Sequence, residues 1–265
     1  MENTKINKLS VIVPAFKQEK SVTADLKNIV NTLKQIRYPF ELIVVVDGKE
    51  DDTYERAKKL ENDFVKVYGF EKNRGKGYAV RYGMARSSGD IIAFLDSGME
   101  INPNGISMLL EHLEWYKADV VVGSKRHPAS KVNYPLFRRI LSLVYQILVF
   151  LLFGLKIRDT QVGLKVFRRK VLEDVLPRLL VKRYAFDVEM LAVARYLGYK
   201  RIFEAPVEIE YNFSLAQAAK WDTIFNMLID TLAIFYRLKI LNYYSDKNKR
   251  KWRYDPELEF KVNVG

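Results

Sequence analysis

The sequence predicts an α/β fold, a Rossmann-like domain in which helices cover both faces of a mostly parallel sheet. Two observations lead to this prediction: five short segments are rich in β-branched and apolar residues, and helical stretches alternate with them. Strands that are apolar throughout indicate burial on both faces, as a parallel sheet requires. Regular strand–helix alternation is typical of a doubly wound sheet. The chain has 265 residues, enough for one such domain with an appendage.

The predicted strands are residues 9–13, which Pro14 ends, 40–46, 64–70, 90–95 and 119–122. The helices predicted between them are residues 21–36, 52–61, 76–85 and 104–116. In sheets of this kind, ligands bind at the carboxyl ends of the strands, where the connecting loops meet. The candidate site therefore lies in the loops at residues 14–16, 47–48, 73–77, 96–100 and 123–126.

The composition excludes several kinds of chemistry. Cysteine is absent, which excludes disulfides, thiol nucleophiles and cysteine metal sites. His112 and His127 are the only histidines in the sequence, so a zinc site or a Ser-His-Asp triad is not expected. Any metal should therefore be a hard ion held by carboxylates. The net charge of +12 predicts a negatively charged partner: nucleic acid, anionic lipid or a phosphorylated substrate.

Residues 73–77 (Asn-Arg-Gly-Lys-Gly) form a basic, glycine-containing segment at a helix start. A P-loop needs Ser or Thr after its lysine, whereas Gly77 follows Lys76 here. A dinucleotide fingerprint should follow the first strand, whereas this segment follows the third. Two interpretations remain, a cationic helix entry that faces a diphosphate and an ordinary basic loop that opens a helix.

Asp96 directly follows a buried predicted strand. A carboxylate in such a place is costly unless it is capped, paired or bound to a metal. In an extended chain Asp96 and Glu100 point the same way and could share one divalent ion. The alternative is that Asp96 only caps the turn before Pro103.

Seven segments, taken in order, resemble those of the inverting nucleotide-sugar glycosyltransferases of family 2, especially the branch that loads dolichyl or another polyprenyl phosphate. They are residues 11–16, 45–48, 73–77, Asp96, residues 123–125, 159–165 and 186–189. The resemblance covers residues 8–212 and implies a GT-A-type nucleotide-sugar-binding domain over residues 1–212. Segments 73–77 and 159–165 look most like those of dolichyl-phosphate glucosyltransferases, which implies UDP-glucose as the donor and inversion at the sugar.

The resemblance also implies roles for individual residues. Those implied to bind the nucleotide or donor are Pro14, Ala15, Gln18, Asp47, Lys76, Gly77, Asp96 and Ser97. Those implied to bind the acceptor phosphate are Lys125, Arg126, Arg138 and Lys165, and those implied to be catalytic are Asp96, Asp159 and Lys165. Asp96, with Glu100 as a second carboxylate, would hold Mg²⁺ or Mn²⁺. A phosphate monoester is largely ionised at neutral pH, so this reaction needs no strong base.

The donor side departs from the family pattern. The Asp-x-Asp metal motif reads Asp96-Ser97-Gly98, so its second carboxylate is missing, and Lys17-Gln18 stands where Asn-Glu is usual. Asp47 stands alone where the family has paired aspartates. These departures keep two alternatives open: a family 2 transferase with a glycan or other lipid as acceptor, and a catalytically silent relative that binds nucleotide-sugar or lipid.

Residues 140–157 and 224–241 are two mostly apolar runs of a length that approaches a membrane span. The polar residues of each run share one narrow helical face, and in the second run these are Asn226, Asp230 and Arg237. This pattern favours helices that lie in the membrane interface. If residues 140–157 crossed the membrane, Asp159 and Asp96 would also lie on opposite sides of it and could not share one site. A buried core helix is the alternative for residues 140–157, whereas burial against protein is not expected for residues 224–241.

Residues 213–265 are therefore expected to form an amphipathic membrane-associated helix and a basic tail, partly disordered from Asn242. Basic residues flank both apolar runs, where they would attract anionic headgroups. Because these residues do not interleave with aromatic residues, nucleic acid is not expected as a partner. The chain shows no signal peptide, so we expect a peripheral, monotopic protein on the cytoplasmic face of a membrane.

Overall fold

The computed structural model describes residues 6–98, 101–132, 136–182, 185–209, 221–248 and 251–264. Its strands are β1 (Leu9–Ala15), β2 (Phe40–Val46), β3 (Val65–Gly69), β4 (Ile91–Leu95), β5 (Val120–Ser124), β6 (Lys131–Val132), β7 (Leu164–Arg168), β8 (Ile202–Pro206), β9 (Glu208–Ile209), β10 (Lys251–Asp255) and β11 (Phe260–Val264). Its α-helices are α1 (Val22–Leu33), α2 (Thr53–Lys58), α3 (Lys76–Ala85), α4 (Gly105–Trp115), α5 (Leu136–Phe153), α6 (Arg169–Val175), α7 (Phe186–Tyr196) and α8 (Trp221–Phe235).

Seven strands form the central sheet in the order β3-β2-β1-β4-β7-β5-β8. All of them run parallel except β7, which is antiparallel to both β4 and β5. The mostly parallel sheet is thus confirmed, and each of the five predicted strands and four predicted helices is present. Pro14 does not end β1, because β4 pairs only with Leu9–Ile12 and the missing N–H of Pro14 faces no β4 partner.

Apolar layers cover both faces of this sheet. Ile12 of β1 faces a layer to which α3, α6, α7 and α8 contribute. Its neighbours Val11 and Val13 point the other way, toward residues of α1, α2 and α4. The doubly wound arrangement is therefore confirmed, and the carboxyl ends of the parallel strands are left free to carry a site.

The C-terminal part of the chain packs into the first of these layers. Helix α8 continues as a π-helical turn (Tyr236–Ile240), and β10 pairs with β11 as an antiparallel hairpin. Ile234, Leu238 and Tyr244 are buried in the layer, so the expectation that residues 224–241 would not pack against protein is wrong. The tail beyond Asn242 was expected to be partly disordered. This is also wrong for its described residues, because burial of the Tyr244 ring and the hairpin pairing hold it in place.

A buried carboxylate connects this part of the chain to the domain. Glu189 of α7 has no exposed surface and accepts a 2.7 Å hydrogen bond from the Tyr244 hydroxyl. It also accepts hydrogen bonds from the N–H groups of Leu180 and Val181, and Arg237 lies 3.9 Å away. Burial raises the pKa of Glu189, while these donors oppose the shift. Arg237, which the sequence places on the polar stripe of residues 224–241, therefore points into the protein.

Candidate active site

A cavity of about 690 Å³ opens where the loops after β1, β2, β3 and β4 meet, and α8 contributes to its wall. Seven residues that were predicted to bind a donor line it: Pro14, Ala15, Gln18, Asp47, Lys76, Asp96 and Ser97. The structure brings these residues together because parallel strands end at one edge of the sheet. The loops are also tied to each other, since the Ser97 hydroxyl donates a 2.7 Å hydrogen bond to the Pro14 carbonyl.

An ion pair between Lys76 and Asp96 faces this cavity. Lys76 Nζ lies 2.8 Å from Oδ1 and 2.9 Å from Oδ2 of Asp96, and 3.9 Å from Oδ2 of Asp187. The Asp96 side chain is 42% exposed, so it is accessible to a ligand as well as to Lys76. The cavity thus presents one ammonium and one carboxylate side by side, which suits an anionic ligand accompanied by a cation.

Asp47 shapes the basic segment at residues 73–77. Its buried carboxylate accepts hydrogen bonds from the N–H groups of Arg74 (2.7 Å) and Gly75 (2.9 Å). Burial raises the pKa of Asp47, and the two N–H donors oppose that shift. Gly75 has a φ of +97°, and a Cβ there would lie 2.3 Å from the Lys182 carbonyl oxygen. This close approach requires glycine and fixes the path of the chain into α3.

Gly77 contacts protein and is not among the residues that line the cavity. Its N–H donates a 2.9 Å hydrogen bond to the Lys182 carbonyl, and a Cβ on it would lie 2.7 Å from the Phe186 side chain. A contact between Gly77 and the donor therefore stays a prediction. Its role here is to let α3 approach α7 closely.

Gly163 leaves room for the Asp96 side chain. The Asp96 N–H donates a 2.9 Å hydrogen bond to the Gly163 carbonyl. A Cβ on Gly163 would lie 2.0 Å from Asp96 Oδ2 and 2.8 Å from Asp96 Cβ. Any larger residue at position 163 would therefore force the Asp96 side chain to move. The segment at residues 159–165 is thus tied to the cavity through this contact.

Lys165 is fully buried and does not reach the cavity. Its Nζ lies 2.6 Å from Asp187 Oδ1 and 2.6 Å from the Val162 carbonyl oxygen. Burial lowers the pKa of Lys165, and the adjacent Asp187 carboxylate opposes the shift. The structure does not agree with the prediction that Lys165 is catalytic and contacts the acceptor phosphate. The physical reason is that β7 is inserted between β4 and β5, which encloses the lysine.

Lys125 and Arg126, at the carboxyl end of β5, and the predicted catalytic residue Asp159 do not line the cavity. Asp159 is 5% exposed and accepts hydrogen bonds from the N–H groups of Lys125 (3.4 Å) and Gln161 (3.1 Å). Lys125 Nζ lies 3.9 Å from Asp159, and Arg126 is hydrogen-bonded to Gln146 of α5. Asp159 therefore orders its own loop in this structure.

The described residues fit a metal only if a ligand helps to hold it. They contain no group of three or more acidic or histidine side chains that could hold a metal ion. Mg²⁺, however, is commonly held by one or two carboxylates together with substrate phosphates and water. Asp96 offers one such carboxylate in the cavity. Glu100 and the side chain of Arg138 lie outside the described part of the chain.

Several cavity residues were not predicted as site residues: Arg74, Lys182, Asn226, Met227 and Asp230. Lys182 lies in a loop before α7 that carries no recognisable motif. For α8 a signal was present, because the polar stripe of Asn226 and Asp230 is visible in the sequence. It was interpreted as the polar face of a helix in the membrane interface, whereas in the structure Asn226 and Asp230 line the cavity.

The sequence of this chain is similar to those of known glycosyltransferases. The sequence model of glycosyl transferase family 2 matches residues 10–176. Dolichyl-phosphate beta-glucosyltransferase of Homo sapiens is 32% identical over 251 residues, which cover 88% of this chain and 76% of the human protein. UDP-N-acetylglucosamine–dolichyl-phosphate N-acetylglucosaminyltransferase of Methanococcus voltae is 30% identical over 250 residues, which cover 87% of this chain and 94% of the archaeal protein.

Among solved structures, glucosyl-3-phosphoglycerate synthase from Mycobacterium tuberculosis, in complex with Mn²⁺, UDP and phosphoglyceric acid, is similar with a TM-score of 0.65. The similarity covers 97% of this chain and 87% of that protein at 20% sequence identity. At this level of identity the similarity concerns the fold, and it confirms the predicted GT-A-type domain.

Proposed function

This chain belongs to glycosyl transferase family 2 and is a glycosyltransferase, and on that premise we propose that it transfers glucose from UDP-glucose to dolichyl or another polyprenyl phosphate. The names of the similar human and Methanococcus proteins support a dolichyl-phosphate acceptor. The observation that carries the proposal is the pairing of Lys76 with Asp96 in a cavity lined by the loops after the parallel strands. N-acetylglucosamine is the second candidate sugar, because the Methanococcus protein is named for it.

The cavity residues have complementary tasks in this proposal. Pro14, Ala15 and Asp47 would surround the nucleoside, and Lys76 with Lys182 would neutralise the diphosphate. Asp96 would hold Mg²⁺ or Mn²⁺ together with the diphosphate oxygens. When bound, such an ion supplies charge neutralisation of the leaving diphosphate.

Transfer needs one bond to form and one to break. An acceptor phosphate oxygen attacks the anomeric carbon, and the bond from that carbon to the diphosphate oxygen breaks with its electron pair leaving on UDP. The acceptor phosphate is already largely ionised at neutral pH, so no general base has to remove a proton. Lys125, Arg126 and Arg138 would attract the incoming phosphate.

A transfer assay tests this function. Purified protein, polyprenyl phosphate and Mg²⁺ or Mn²⁺ are mixed in turn with UDP-glucose, UDP-N-acetylglucosamine and GDP-mannose, and label in the organic-extractable lipid is counted. We expect label from UDP-glucose and none from GDP-mannose. Nucleotide-sugar binding without transfer from any donor would contradict the proposal and favour a silent relative. A glycan or a diacylglycerol lipid replaces polyprenyl phosphate in parallel reactions. Transfer to one of these acceptors and not to polyprenyl phosphate would favour a family 2 transferase with a different acceptor.

We also propose that α5 and α8 lie on an anionic membrane surface. The two helices pack together, with the Tyr145 hydroxyl 2.9 Å from the Thr231 hydroxyl. Their outward faces expose large apolar side chains: Ile140, Val144, Ile147, Leu151, Phe225, Ile229, Leu232, Tyr236 and Ile240. A contiguous exposed apolar surface of this kind is rare on proteins that stay in water. Within the described parts of the chain, no helix combines the length and apolar composition needed to cross a bilayer.

Placing a charge on this surface should weaken membrane binding. Leu151→Glu and Phe225→Glu each remove an apolar side chain, exposed by 73% and 64%, that would be buried in the interface. Each should reduce binding to liposomes of anionic lipid roughly tenfold or more, because burying such a side chain contributes about 1.5–3 kcal/mol. Co-sedimentation measures the effect. Trp115→Glu, at an 83% exposed position on α4, is the matched control and should bind like the unchanged protein. Equal binding by all variants would exclude this surface.

A further inference from the structure

Helix α8 presents a carboxylate to the donor cavity. Asp230 lies one helical turn after Asn226, and both line the cavity together with Lys76 and Asp96. Asp230 is partly exposed, and within the described residues no hydrogen bond or ion pair engages it. Its position is therefore not explained by a contact that stabilises the fold.

Charge restricts what Asp230 can bind. The donor diphosphate and the acceptor phosphate are both anionic, and a carboxylate placed against either would be repelled. The uncharged hydrogen-bond donors of a uridine nucleotide-sugar are the hydroxyl groups of its sugar and its ribose, together with the single N3–H of the uracil ring. A carboxylate accepts hydrogen bonds only, and bonds from hydroxyl donors to a charged acceptor are stronger than those between neutral groups. Asn226 adds a neutral amide that both donates and accepts.

We propose that Asp230, assisted by Asn226, accepts hydrogen bonds from hydroxyl groups of the nucleotide-sugar. The inference rests on the proposed function, because it takes the cavity as the donor site. The hydroxyl groups belong either to the transferred sugar or to the ribose, and the two sources are separable by experiment. The same helix then carries donor recognition on one face and the apolar membrane surface on the other.

Calorimetric titration of the full-length chain with UDP and with UDP-glucose, both with Mg²⁺, tests the inference. Asp230→Asn keeps the side-chain size and removes the charge, and Asp230→Ala removes both. For either variant we expect the Kd for UDP-glucose to rise about tenfold or more, as loss of a hydrogen bond to a charged group predicts. An unchanged Kd for UDP then assigns the contact to the transferred sugar, and an equal rise for UDP assigns it to the uridine part of the donor.

The matched control is Asp63→Asn, which makes the same chemical change at an exposed position before the amino end of β3. It should bind both ligands like the unchanged protein, and melting curves verify that all variants fold. Unaltered affinities in the Asp230 variants overturn the inference and leave the proposed function standing. Tighter UDP binding with no loss for UDP-glucose also overturns it, because Asp230 would then only repel phosphate. Absence of nucleotide binding by the unchanged protein overturns both.

Discussion

Asp96→Asn should lower the rate of sugar transfer roughly 100-fold or more while the protein remains folded. The carboxylate faces the cavity, pairs with Lys76 and is the group that would hold the metal beside the leaving diphosphate. Loss of one electrostatic group that stabilises a transition state commonly costs a factor of about 100–1,000. The initial rate at saturating UDP-glucose and metal measures the effect, and a melting curve verifies folding.

Gly163→Ala tests the same carboxylate without changing its charge. The added Cβ would lie 2.0 Å from Asp96 Oδ2 and must displace it, so this variant should also lose most of its activity. A melting curve verifies that Gly163→Ala folds, so that a loss of activity reports on the displaced carboxylate. Full activity of Asp96→Asn would exclude the proposed metal and diphosphate role of this residue.

Asp187→Asn should lower the free energy of unfolding by about 3–5 kcal/mol. The change leaves the Lys165 ammonium, which has no exposed surface, without its charged partner. Removing one member of a buried ion pair is strongly destabilising because the remaining charge stays desolvated. Urea denaturation followed by circular dichroism measures the loss.

A second substitution separates this electrostatic cost from loss of packing. Adding Lys165→Met to Asp187→Asn removes the stranded charge and should restore part of the stability. Glu50→Gln, which breaks the exposed Lys17–Glu50 pair, should change stability little. If Asp187→Asn lowers the free energy of unfolding no more than Glu50→Gln does, the prediction is wrong. The Lys165 charge would then be stabilised by a group other than Asp187.

The parts of the fold that sequence predicts well are those specified by local pattern. A short apolar run such as Phe40–Val46 predicts a buried strand, and the carboxyl ends of such strands indicate where the site lies. Strand β7 was not predicted, because Lys165 interrupts its apolar pattern. That lysine is paired by Asp187 on α7, a partner that only the tertiary structure places beside it.

The two errors about α8 and the tail have a related cause. Amphipathicity identifies which residues of α8 share a face, but it does not identify what that face contacts. Asn226 and Asp230 were thus interpreted as the polar face of a helix in the membrane interface, although they line the cavity. The tail appeared basic and unstructured, although Glu257 accepts hydrogen bonds from Arg74 and from the Tyr78 hydroxyl (2.6 Å). These contacts join residues that are distant in the chain.

The position of β7 in the sheet has a consequence for how the protein folds. β7 fills the gap between β4 and β5, although α4, β5, β6 and α5 are synthesised between β4 and β7. Until β7 inserts, two sheet edges remain open, and such edges are sites of aggregation. Pairing between distant segments also slows folding. The hydrogen bond from Asp96 to Gly163 and the Lys165–Asp187 pair need β7 in place, so the Asp96 side of the cavity takes its final form as the sheet closes.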